Sequence, residues 1–257
     1  NDYIKKVEED TLSLYPLTFE EFCNALDKNI LMNQVKEHKW NELSVLSHTF
    51  IELLRQYYYV GGMPAVVKDY CEKQNLKSVR DIQNQILADY KRDFSKHVPK
   101  EILPKVNIVW NSIPSQLSKE NKKFIYSAIK KGGRAKEFEN AIQWLIDAGL
   151  VYKVLRVSKI EKPLKFYEDF DAFKLFILDL GLLGAMVDVS AKDVLVNNTA
   201  FVEYKGTFTE QYVLQELITV KKNIYYYSKE NSNLEIDFII QKDEMYPIEV
   251  KAEENLR

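Results

Sequence analysis

With 257 residues, 46% of them hydrophobic and 29% charged, the chain can bury a substantial core, which excludes a disordered or fibrous protein. Its formal net charge of -2 excludes a uniformly basic surface, so any contact with nucleic acid must come from a local patch. The two cysteines, Cys23 and Cys71, have no His or second Cys nearby, which excludes a zinc motif or disulfide framework and suits a reducing compartment.

No run approaches the roughly 18 apolar residues of a membrane helix, and no signal-peptide pattern opens the chain. A cytoplasmic protein that engages no membrane is expected. The chain opens on Asn1 rather than Met and stops at Arg257 just after a strand-like run, so both ends read as cut from something longer.

Thr18 followed by Glu21 predicts a capping box and a helix carrying Phe22, Ala25 and Leu26. Residues 45–60 keep apolar side chains at helical spacing until Gly61-Gly62-Met63-Pro64 ends the run, and residues 78–96 form a further amphipathic helix. The glycine pair reads as a turn rather than a phosphate cradle, because no strand precedes it. His38, His48 and His97 form no ligand spacing. Trp40, Trp110 and Trp144 read as packing residues.

The character changes over 99–114. A short helix is expected at 122–131, ended by Gly132-Gly133, then a helix at 134–148, a strand at 150–155 and a partner strand at 173–179. Helix, turn, helix and two strands is the order of a winged helix-turn-helix. Residues 115–165 carry twelve Lys or Arg against five acids, a local charge of +7. Lys130, Lys131, Arg134 and Lys136 are the candidate contacts to duplex DNA. A plain solvated face competes with this, since winged helices also serve as protein-protein spacers, and Glu137 and Glu139 on the second helix would repel phosphate.

From Thr207 the pattern turns to a helix over 207–221 and strands over 224–227, 234–240 and 246–251. Lys242-Asp243-Glu244 interrupts the last two, which predicts a hairpin pairing Gln241 with Met245. That register sets Asp237 opposite Glu249, with Lys251 on the same face. Facing carboxylates destabilise a hairpin unless neutralised, and Mg²⁺ held by Asp237 and Glu249 would neutralise them, activating water for attack on a phosphodiester. Lys251 would position water or phosphate, and Glu210 would reach the metal from the preceding helix. Two plainer explanations compete: Thr207 with Glu210 is itself a capping box, and the hairpin face is an ordinary solvated one.

These residues carry a resemblance. The helix with Glu210, then Glu235-Ile236-Asp237-Phe238 and Ile248-Glu249-Val250-Lys251-Ala252, resembles the PD-(D/E)XK nuclease-like superfamily, with Asp237, Glu249 and Lys251 as its signature triad. Tyr15-Pro16-Leu17-Thr18-Phe19-Glu20-Glu21-Phe22, Val60-Gly61-Gly62-Met63-Pro64 and the run from Phe173 to Leu183 resemble the C-terminal portion of prokaryotic AAA-type ATPases that carry such a domain. Together with the winged-helix order, the resemblance implies an α+β fold in three parts: a helical region at 1–108, a winged-helix-like domain at 109–190, and a restriction-endonuclease-like α/β domain at 191–257, truncated at its end. It also implies that ATP is bound only by an upstream P-loop module, which this chain lacks. Metal-dependent nuclease activity on DNA is one expectation. A non-catalytic DNA-binding or protein-docking module regulating the ATPase is the other, and self-association through the parent ATPase is a third.

Overall fold

The computed structural model describes residues 13–119, 122–196, 199–220, 223–229 and 234–252. Its architecture is mixed α+β, a helical N-terminal region followed by an α/β part built on one five-stranded sheet.

The helical region opens with α1 (Phe19–Ala25), where Thr18 and Glu21 form both halves of the expected capping box. Helices α2 (Asn29–Lys36), α3 (Trp40–Val45) and α4 (Ser47–Val60) follow. Helix α5 (Pro64–Lys73) starts on a proline, whose missing N–H costs nothing in the first turn. Asn75 caps α6 (Leu76–His97), which leads to α7 (Leu103–Leu117). Helix α7 runs without a break through the expected domain limit at 108/109.

The helix expected at 122–131 shrinks to α8 (Tyr126–Ile129). Lys122 has φ +48°, a left-handed value that no α-helix accommodates, and the Phe124 N–H donates to the Phe173 carbonyl at 2.8 Å instead of to a helical partner. Helix α9 (Ala135–Asp147) buries Phe138, Ala141, Ile142 and Leu145, one face at 3.6-residue spacing. Phe94 of α6 meets Trp110 of α7 and Trp144 of α9 edge-on at 5.7 and 5.5 Å, joining three helices. Trp40 departs from the packing role, being 63% exposed.

Strands β1 (Val151–Val157) and β2 (Glu168–Ile177) pair antiparallel, expected as the wing of a separate domain. They belong instead to the same sheet as the C-terminal strands β3 (Ile224–Ser228), β4 (Glu235–Gln241) and β5 (Met245–Ile248), in the order β2-β1-β3-β4-β5. The junction is a parallel pairing of Leu155 with Tyr225 and of Arg156 with Tyr226. Between β2 and β3 lie α10 (Leu180–Met186), α11 (Ala191–Val196) and α12 (Thr199–Val220).

Alternation along the strands divides the interior in two. Tyr226, Phe238 and Ile240 join the main core with Phe176, Phe208 and Leu214, whereas Tyr225 and Ile239 pack with Val157 and Leu164 on the other side. The β1–β2 connection folds over that second side. Leu164 is fully buried there, and its N–H donates to Gln241 Oε1 at 2.8 Å. No helix among the described residues is long and apolar enough to cross a membrane.

Candidate functional site

Helix α12 begins eight residues before the expected Thr207 start, so Thr207 is an interior residue and the capping-box explanation of Glu210 fails. The Thr207 hydroxyl donates to the Leu117 carbonyl at 3.0 Å. Glu210 is buried, as are Phe208, Gln211, Leu214 and Gln215 of the same helix.

Two lysines converge on that carboxylate. Lys122 Nζ donates to Glu210 Oε1, and Lys174 Nζ stands 3.6 Å from Oε2. Lys174 lies in the middle of β2 with no exposed surface, its ammonium 2.7 Å from Glu235 Oε1 and 4.9 Å from the centroid of the Tyr226 ring. Neither of its carboxylate contacts is aligned as a hydrogen bond, and Glu210 Oε2 and the Tyr226 hydroxyl also lack one among the described residues. Burial pushes the Glu210 carboxyl up from the usual range; Lys174 and Lys122 oppose that shift, and neighbouring Asp237 adds to it.

The hairpin forms in the expected frame, with Gln241 paired to Met245 and Phe238 to Ile248. Strand β5 then ends one residue short of Glu249. The reason is local: Asp237 Oδ2 accepts the Val250 N–H at 2.8 Å, a side chain taking the place of a ladder carbonyl. Glu249 is left exposed and accepts from Lys251 Nζ, and this contact holds the Lys251 ammonium above its usual range. Asp237 is thus the electrostatic neighbour of both Glu210 and Lys251, while Glu249 pairs with Lys251 at the exposed surface.

Among the described residues no three His, Cys, Asp or Glu side chains gather as a metal-binding group. The donor set offered to Mg²⁺ here is Glu210 and Asp237, already held by two ammonium groups and a backbone N–H. An ion in contact with Glu210 Oε2, at roughly 2.1 Å, would lie within about 6 Å of the Lys174 ammonium. As arranged, Glu210 already has two ammonium partners and Asp237 a backbone N–H.

Sequence reasoning missed Lys174, Glu235 and Lys122. Lys174 carried a signal, a single charge inside the apolar run Phe173-Lys174-Leu175-Phe176-Ile177, where an unpaired ammonium would be intolerable. Lys122 carried none, being one lysine among many.

The other candidate set lies at the turn before α9. Lys130, Lys131, Arg134 and Lys136 are all exposed. Lys130 Nζ donates to Glu137 Oε2 at 2.7 Å, and that hydrogen bond holds the Glu137 carboxyl below its usual range. One of the two acids expected to repel phosphate is thus neutralised internally; Glu139 remains exposed. No side chain caps the α9 N-terminus, where Arg134 occupies the cap position.

A family model described as Domain of unknown function (DUF4143) matches residues 205–257, a domain typically found at the C-terminus of AAA-ATPase-like proteins. A second, Domain of unknown function (DUF8612), matches residues 51–193. No curated protein and no solved structure matches the chain. Since the match over 51–193 takes in more than half of its residues, the chain belongs to the family described as Domain of unknown function (DUF8612).

Proposed function

We propose that this chain is the C-terminal region of an AAA-type ATPase-like protein and that it docks duplex DNA through the turn leading into α9. ATP is the business of a module upstream, and the nuclease-like α/β part serves as a scaffold. The match over 205–257 to a domain found at the C-terminus of such ATPases supports the first half. The second half rests on one observation, the exposed Lys131, Arg134 and Lys136 around a helix N-terminus that no side chain caps. Backbone N–H groups and the positive end of the helix dipole favour a phosphate there, and the three cations supply the attraction that carries duplex binding.

Fluorescence anisotropy with a labelled duplex at increasing salt tests this. Replacing Lys131, Arg134 and Lys136 together by Ala should weaken binding at least about tenfold at low salt and lower the salt slope by about 3. An unchanged slope would remove the α9 turn from the interface.

A further inference from the structure

We infer that Lys174, assisted by Lys122, is the resident cation of the buried centre and occupies Glu210, a carboxylate expected to reach a divalent metal. The inference is independent of duplex docking. It rests on the placement of both ammonium groups. Each oxygen of Glu210 faces one of them, Oε1 towards Lys122 and Oε2 towards Lys174 at 3.6 Å, and Lys174 also neutralises Glu235 at 2.7 Å. Lys174 sits opposite Val154 on the strand pair β1–β2, and its side chain has no exposed surface. On the same face of β2 Phe176 is fully buried, and the Tyr226 ring lies 4.9 Å from the ammonium. A buried ammonium is tolerated only when paired, and one of its two partners here, Glu210, is a carboxylate expected to reach the metal. The two ammonium groups offset Glu210 and Glu235, while Asp237 is held by the Val250 N–H, and divalent cations have no part in holding the centre together.

The test is thermal unfolding of the 257-residue chain with millimolar Mn²⁺ or with EDTA, alongside calorimetric titration with Mn²⁺. The native chain should bind no Mn²⁺ and keep its Tm within about 1 °C in either additive. Lys174→Met should lower Tm by about 8 °C, since it leaves Glu210 and Glu235 without their shared partner. Mn²⁺ should then recover about 3 °C of that loss, because the vacated carboxylates accept a cation. Lys174→Arg should behave as the native chain does towards Mn²⁺. Mn²⁺ binding by the native chain that Asp237→Ala abolishes would overturn the inference. So would a Lys174→Met chain as stable as the native one, or one that Mn²⁺ fails to rescue. If Lys174→Met does not fold, Lys122→Met, which removes the outer cation, should show the same Mn²⁺ rescue on a smaller loss, and its absence would count equally against the inference.

Discussion

Asp179→Ala is expected to lower stability by about 5 kcal/mol, read as a fall of about 15 °C in Tm. Asp179 is fully buried and joins two parts of the molecule. One oxygen accepts the Leu182 N–H at 2.9 Å as the N-cap of α10, and the other accepts the Gly62 N–H at 2.7 Å. Gln215 completes the joint, its Oε1 accepting the Leu180 N–H at 3.0 Å and its Nε2 donating to the Tyr57 hydroxyl at 2.7 Å. Alanine leaves at least two backbone donors buried without acceptors, at about 1–3 kcal/mol each, and removes the cap.

The same residue sets a pH dependence. Burial pushes its carboxyl up to about 6, against the pull of the Gly62, Leu182 and Gly181 N–H groups. In the unfolded chain it titrates at about 3.9. Between these values the folded state holds a proton that the unfolded state has released, so the contribution of Asp179 to stability falls as pH rises from about 4 to about 6. The size of that loss is on the order of 3 kcal/mol. Asp179→Asn keeps the shape and cannot ionise, so the difference between native and Asn chains in urea unfolding should shrink across that window. A constant difference would refute the assignment.

Gly61→Ala is the second large effect, expected to cost about 5 kcal/mol and to leave little folded protein. Gly61 has φ +74° and ψ -169°, a region that only glycine occupies comfortably. A Cβ there would stand 2.4 Å from Asp179 Oδ1 and 2.7 Å from the Gly181 nitrogen. Backbone of α10 cannot yield without breaking the Asp179 joint. Circular dichroism melting of the variant would show the loss, and native-like melting would contradict the close packing of this turn on α10.

Much of the helical region was legible because its signals are local. The Thr18 capping box involves residues three apart, and the helical spacing over 78–96 lies inside α6. The hairpin turn was equally legible, since Lys242-Asp243-Glu244 leaves Gln241 and Met245 as the closing pair. What failed did so for tertiary reasons. Thr207 with Glu210 has the form of a capping box, yet Glu210 points to Lys122 and Lys174, which arrive from the α7–α8 connection and from β2. The hairpin register holds as far as Phe238 and Ile248, and the next pair expected, Asp237 with Glu249, lies beyond the end of β5, where Asp237 accepts the Val250 N–H. The sheet could not be read as one, because a parallel junction between β1 and β3 leaves no turn sequence to mark it.

The chain is expected to hold duplex DNA without cutting it, and one gel tests both halves. Supercoiled plasmid incubated with the chain in millimolar Mn²⁺ should migrate more slowly in proportion to protein, and should return to the supercoiled position once the protein is digested. Nicked or linear plasmid after digestion, produced by the native chain and not by Asp237→Ala, would contradict the account.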